Sequence, residues 1–315
     1  MSDTIKVLLQ TTIPDLPETE DDWHIGRFSL LTDYLNGLRD PNNQPLCQVT
    51  TRNRKPDFQG HDPVLSRLAD SDYDQLWLFA VEDAGNATSG YGLTADDILG
   101  LNAFHYCGGG ILATRDHQDL GGCLAKTCAG PFHHFQTFSP EPDPTRHCPD
   151  DTKTTNISWP NYHSGKNGDY QEITLMDPVH PLLKTDVSPS GKVRYFPAHP
   201  HEGAVNAPSD DPDATIIAQG KSLVTDKPFN LAVAVNGSNR CGNLAIHSSF
   251  HHFADYNWNP NLGCPSFVSE LPGDGFEKNP EALAEFKQYV SNLARWLCPA
   301  EKRDRLMPLQ SVATV

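Results

Sequence analysis

The chain has 315 residues, with 40 acidic and 24 basic side chains and a formal net charge of −16. This acidic balance argues against nucleic acids and anionic membranes as partners, because both bind proteins through Lys and Arg. The sequence has no stretch near the ~18 apolar residues of a membrane span, and its N-terminus does not resemble a secretion signal. We therefore expect a globular, cytoplasmic protein with a small-molecule substrate. Whether it forms a homo-oligomer is left open.

Apolar runs alternate with amphipathic segments along the chain. Strands are predicted at residues 5–9, 76–81, 111–114, 173–176, 215–218, 231–235 and 244–247. Helices are predicted at residues 23–39, from 95 onward, at 117–126 and at 280–297. This alternation predicts an α/β fold with a mainly parallel sheet. We expect one domain over residues 1–300, with an inserted loop at 130–170 that covers the site, and a polar tail at 301–315.

The most informative motif is a glycine run, Gly108-Gly109-Gly110, followed by an apolar strand and then Asp116 and His117. Ligands bind at the carboxyl ends of strands in open α/β sheets, so a site is predicted here. Asp116 suits the N-cap of the predicted helix 117–126, and it also suits a metal ligand or a general base. A helix N-terminus would favour the neutral form of His117, which both a metal ligand and a base require.

Further histidines cluster in three places. His199 and His201 flank a proline, precede Glu202, and would project from the same face of an extended chain, so they could share one ion. The block 245–255 begins at a strand end, and a helical turn after Ser248 or Ser249 would place His251 beside Asp255. The third group fits a polar loop: His133, His134, His147 and Cys148.

The order of these elements resembles the class I glutamine-amidotransferase-like fold, a flavodoxin-like three-layer sandwich, here with long loop insertions. Within that fold the chain resembles the ThuA-like (trehalose utilisation) family. The motifs that carry the resemblance are residues 73–79, residues 104–112 with His117, residues 177–181 with His201-Glu202, and residues 242–247 followed by the last helix. The resemblance spans roughly residues 5–298 and implies metal-assisted sugar metabolism.

The chain departs from the glutamine amidotransferases at the turn after the glycine-rich strand. Those enzymes carry a cysteine there, whereas this chain carries Arg115, Asp116 and His117. Cys107 precedes the strand and Cys123 follows too late, so we do not expect a cysteine glutaminase. Two other departures are Arg115-Asp116 before the histidine and the density of histidines at 247–252. The eight cysteines form no Cys-x-x-Cys pair and are expected to be buried thiols.

We therefore expect a metal-assisted hydrolase, lyase or isomerase that acts on a small polar, carbohydrate-derived substrate. A divalent metal ion, with zinc preferred, would be held by His117, His201 and His251. Asp116 is the expected base, and His117 and Glu202 are further catalytic candidates, with Glu202 also a candidate ligand. Two alternatives remain open: a non-catalytic small-molecule binding or assembly protein on the same fold, and metal-free hydrolysis with Asp116 as nucleophile.

Overall fold

A computed structural model describes residues 4–82, 92–132, 161–237 and 241–306 of the protein. The strands are β1 Ile5–Pro14, β2 Cys47–Arg54, β3 Gln75–Phe79, β4 Gly110–Thr114, β5 Tyr170–Glu172, β6 Thr174–Leu175, β7 Tyr195–Pro197, β8 Ala214–Lys221, β9 Pro228–Val235 and β10 Leu244–His247. The helices are α1 Ser29–Gly37, α2 Ala95–Tyr106, α3 Asp255–Trp258, α4 Gly275–Lys278, α5 Pro280–Trp296 and α6 Ala300–Leu306.

Eight strands form one central sheet in the order β2-β1-β3-β4-β10-β9-β8-β6. The pairs from β2 to β10 are parallel, and the pairs that join β10, β9, β8 and β6 are antiparallel. β5 and β7 form a separate antiparallel pair. The predicted α/β fold with a mainly parallel central sheet is confirmed, and the antiparallel strands lie together at one side.

Alternate residues of the buried strands face two different helical layers. Trp77 and Phe79 of β3 pack in a cluster with residues of α1 and α5. Leu76 and Leu78 point the other way and pack with residues of α2 and of a 3-10 helix at Leu65–Asp70. A strand buried on both faces needs an unbroken apolar run, which is the pattern that predicted β3. The sheet between two layers of helices is the three-layer sandwich expected from the sequence.

Local sequence explains where the two longest helices begin. Thr94 caps α2 by accepting a hydrogen bond from the backbone of Asp97, and the Asp97 carboxylate accepts one from the Thr94 backbone. This reciprocal capping box satisfies two backbone donors that a helix start leaves free. Pro280 occupies the first turn of α5, where its missing N–H costs nothing.

The predicted helix at 117–126 is wrong. The chain forms a tight turn in which the Asp116 N–H donates to the Leu120 carbonyl, followed by a 3-10 helix at Gly122–Leu124. Gly121 adopts φ 86°, the left-handed region that no helix interior tolerates. Asp116 is therefore not the N-cap of an α-helix. His117 does not begin an α-helix either, so no α-helix dipole there favours its neutral form.

Other differences are smaller. The helix predicted at 23–39 is shorter and begins with a 3-10 turn at Ile25–Phe28, and β2 was missed because its sequence is largely polar. The segment expected as a polar tail contains α6, whose Lys302 donates to Asp74 over 2.6 Å. Most of the expected insertion at 130–170 lies outside the described residues. Within the described ranges, no helix is long and apolar enough to cross a membrane.

Candidate metal centre

Three chain segments place polar side chains beside the carboxyl ends of the parallel strands. β4 and β10 are parallel neighbours whose last residues, Thr114 and His247, are paired. Asp116 therefore emerges after β4 beside the 3-10 helix that follows β10 and carries His251. The segment after β7 brings His199 to the same place. The ligand atoms of Asp116, His199 and His251 all lie within 4.8 Å of one another, and all three residues are buried.

The Asp116 carboxylate is held by imidazoles and a hydroxyl. Its Oδ2 lies 3.0 Å from His117 Nδ1 and 3.5 Å from His251 Nε2, and its Oδ1 accepts a 2.7 Å hydrogen bond from Ser249 Oγ. Burial alone would raise the pKa of Asp116, but the nearby imidazoles of His117 and His251 outweigh it and hold the pKa well below its usual range. Asp116 is therefore a buried carboxylate anion at neutral pH.

His251 presents Nε2 to this carboxylate, and the Nδ1 atoms of both buried imidazoles contact other groups. His199 Nδ1 lies 2.6 Å from the His201 carbonyl oxygen and 3.1 Å from the His201 backbone nitrogen, so the backbone of His201 engages this ring atom. His251 Nδ1 lies 3.2 Å from Asn257 Oδ1. The rings of His199 and His251 stack 3.5 Å apart. Burial, reinforced by His251, keeps the pKa of His199 well below its usual value, so this imidazole is neutral.

This donor set fits a divalent ion of the zinc type. Such ions take neutral imidazole nitrogens and carboxylate oxygens, and their histidine ligands donate the second ring N–H to an oxygen. The cluster offers one buried anion and two stacked imidazoles, each with its other nitrogen near an oxygen acceptor. The three ligand atoms are thus close enough together to hold one ion.

A cavity of about 400 Å³ opens onto the cluster. Its apolar wall comes from Trp23, Phe250, Phe267 and Val268, and its polar wall includes Asp22 and Asn167. Four of the five predicted site residues line this cavity: Asp116, His117, His201 and His251. The structure thus brings four of these residues to one cavity, and their functional roles stay predictions, whereas His133, His134, His147 and Cys148 lie outside the described residues.

His201 faces a different partner from the metal cluster. Its Nε2 lies 2.8 Å from Glu270 Oε1, and its ring centre lies 5.6 Å from that of His117. Burial lowers the pKa of His201, and the hydrogen bond from His201 lowers the pKa of Glu270, so a neutral imidazole donates to a carboxylate. His201 Nδ1 is buried and has no hydrogen-bond partner among the described residues.

Glu202 belongs to a fully buried chain of polar side chains next to the cavity. Its carboxylate accepts from Ser164 and Gln171, and its Oε2 lies 3.1 Å from His252 Nε2. His252 Nδ1 lies 3.2 Å from His247 Nδ1, and His247 Nε2 lies 2.6 Å from the Tyr289 hydroxyl.

One proton arrangement satisfies every contact in this network. The Tyr289 O–H donates to His247, His247 donates to His252, and His252 donates to Glu202. Burial, reinforced by His252, keeps the pKa of His247 well below its usual value, which agrees with a neutral His247 in this arrangement. The catalytic role predicted for Glu202 stays a prediction. We call these four residues the Glu–His–His–Tyr network.

Some features of the candidate site were predicted from the sequence, and others were missed. The prediction that Ser248 or Ser249 caps a helical turn is confirmed, because Ser249 accepts a hydrogen bond from the His251 N–H. His199 was recognised as a partner of His201 but was left out of the predicted ligand set. Glu270 and Asn257 were missed, since neither belongs to a motif and both reach the site from segments far along the chain.

No protein-family model and no curated protein matches the chain. Among solved structures, it is similar to a cytoplasmic protein from Salmonella typhimurium LT2, with 11% identity, a TM-score of 0.49, and coverage of 93% of this chain and 100% of that one. It is also similar to a ThuA-like protein from Bacteroides uniformis, with 12% identity, a TM-score of 0.42, and coverage of 93% and 91%. A third is the glutaminase domain of Trypanosoma brucei CTPS, with 9% identity, a TM-score of 0.45, and coverage of 95% and 99%.

At these identities the likeness concerns the fold alone. The solved structures that are similar to this chain thus include both groups that its motifs resemble, the ThuA-like proteins and the glutamine-amidotransferase-like domains.

Proposed function

We propose that the protein is a metal-assisted enzyme whose divalent ion is held by Asp116, His199 and His251. The observation that carries this proposal is the convergence of a buried carboxylate and two stacked imidazoles at the floor of a cavity. A divalent ion bound there would act as a Lewis acid toward an oxygen of the substrate. His117 would orient the Asp116 carboxylate from outside the ligand set, as outer-shell partners do in metal sites.

His201 is the proton acceptor that we propose for the reaction. His201 lines the cavity, and Glu270 holds its Nε2, an arrangement in which a carboxylate orients a histidine base. This assignment differs from the ligand role expected for His201 and the base role expected for Asp116. The buried Asp116 is already engaged by three side chains, which supports a ligand role for Asp116 rather than a role as the base.

The cavity suits a small polar molecule that also has an apolar face. Trp23, Phe250 and Phe267 offer aromatic surface, while His201 and Glu270 offer hydrogen-bonding groups. A carbohydrate derivative combines C–H faces and hydroxyl groups in this way, and the sequence resemblance to the ThuA-like family supports the same class. The cytoplasm remains our proposed location, because the seven cysteines of the described residues are free thiols, as is typical of a reducing compartment.

Metal stoichiometry tests this proposal. Untagged protein is purified without added metal, equilibrated with zinc, manganese or cobalt, and analysed for bound metal. We expect about one equivalent per chain, lost in His199→Ala and His251→Ala but retained in His61→Ala, whose ring pairs with Asp57 outside the cavity. No bound metal in the wild type would contradict the proposal and would favour a non-catalytic binding protein or an Asp116 nucleophile.

A further inference from the structure

Asn257 in α3 is fully buried, and its amide contacts three groups around the metal cluster. Its Nδ2 donates to the Ala198 carbonyl and to Asn167 Oδ1, both over 3.0 Å. Its Oδ1 lies 3.2 Å from His251 Nδ1. The Asn257 side chain therefore contacts the imidazole of His251 and the backbone of the residue that precedes His199, and both histidines are candidate ligands.

These contacts fix the orientation of the amide. A backbone carbonyl can only accept a hydrogen bond, so the atom that faces Ala198 is the NH₂ group and the atom that faces His251 is the oxygen. The oxygen in turn can only accept, so the proton of His251 is on Nδ1. His251 Nε2 then carries the lone pair, and it is this atom that lies 3.5 Å from the Asp116 carboxylate.

We propose that Asn257 is a positioning residue of the metal centre. It selects Nε2 of His251 as the ligand atom, and through Ala198 it holds the His199 segment at the separation at which the two rings stack. Asn167, which accepts from Asn257, also lines the cavity, so the two amides connect the cavity wall to the metal ligands. This inference rests on the proposed function, because it assigns a role within that same site.

Asn292 provides a matched control on the distant helix α5. Its Nδ2 donates to the Leu182 and Lys184 carbonyls, and its Oδ1 accepts from Gln288, which is the same pattern of contacts away from the cavity. Asn257→Leu and Asn292→Leu thus remove the same kinds of hydrogen bonds, fully buried at Asn257 and partly exposed at Asn292, but only the first removes them from a metal ligand. The two variants separate positioning from general stability.

The experiment titrates Co²⁺ into apo protein, measures affinity by chelator competition, and records the visible spectrum of the bound ion. We expect Asn257→Leu to bind Co²⁺ about 10–100-fold more weakly with an altered spectrum, as outer-shell substitutions do. Asn292→Leu should keep the affinity and spectrum of the wild type, even though it unfolds at lower urea. Should Asn257→Leu not fold, Asn257→Asp decides the question, since its carboxylate would repel the Ala198 carbonyl and change the spectrum.

The outcomes distinguish the positioning role of Asn257 from the metal centre itself. A wild-type spectrum and affinity in a folded Asn257 variant would overturn the positioning role while leaving the metal centre intact. Absence of Co²⁺ binding by the wild type would instead overturn the proposed function itself, and the positioning role with it.

Discussion

Tyr289→Phe removes one hydroxyl from the Glu–His–His–Tyr network without changing the shape of the ring. The hydroxyl lies 2.6 Å from His247 Nε2, and both residues are fully buried. Its loss leaves the Nε2 acceptor of His247 in the protein interior without a partner, and an unsatisfied buried group costs about 1–3 kcal/mol. We therefore expect the free energy of unfolding to fall by about this amount, while metal stoichiometry stays at the wild-type value because Tyr289 does not line the cavity.

Urea unfolding followed by circular dichroism measures this change, with the m-value as a check that the unfolded state is unaltered. The half-buried Tyr195 serves as the control, and Tyr195→Phe should change stability by no more than about 0.5 kcal/mol. Equal stabilities of the Tyr289→Phe protein and the wild type would refute the proton arrangement assigned to the network. Loss of metal binding in Tyr289→Phe would show that the network is part of the site.

Three further predictions concern pH and packing. Burial raises the pKa of Glu82 from 4.5 to about 7, so the free energy of unfolding falls as the pH rises between these values. In urea unfolding, Glu82→Gln should therefore be more stable than the wild type by on the order of 3 kcal/mol at pH 8 and should match it at pH 4. Because the pKa values of His199 and His247 lie well below 6.5, the unfolded chain binds protons that the native state does not. The free energy of unfolding should therefore decline as the pH falls below about 6.5. The Glu82→Gln protein is the one to measure, because it lacks the opposite pH dependence that Glu82 contributes. A free energy of unfolding that does not change with pH in this variant would contradict the prediction. An added Cβ at Gly100 would lie 2.1 Å from the Leu65 carbonyl, whereas one at Gly37 meets nothing within 4 Å. Gly100→Ala should accordingly destabilise by about 1–3 kcal/mol and Gly37→Ala by nothing, as thermal unfolding would show.

The position of the site could be predicted because it depends on local patterns and on one topological rule. β4 and β10 are buried strands with uninterrupted apolar runs, and their predicted ends agree with the structure at Thr114 and His247. Side chains that follow adjacent parallel strands must meet at one edge of the sheet, which places Asp116 near His251.

The contacts of individual histidines could not be predicted, because they depend on side-chain orientation and on distant segments. An extended chain would place His199 and His201 on the same face, but His199 Nδ1 contacts the His201 carbonyl and the two ring planes meet at 77°. His199 then stacks on His251, and His201 meets Glu270. The turn at Gly121 also replaced a predicted helix, since a left-handed glycine can end a helical pattern that apolar spacing alone predicts.

Anomalous diffraction at the zinc absorption edge, from crystals of the zinc-equilibrated protein, tests the metal centre most directly. We expect one peak within about 2.0–2.2 Å of Nε2 of His199, Nε2 of His251 and an oxygen of Asp116, with His117 and His201 outside bonding distance. A peak bonded to His117 and His201, or no peak in the cavity, would contradict the ligand set and the function proposed from it.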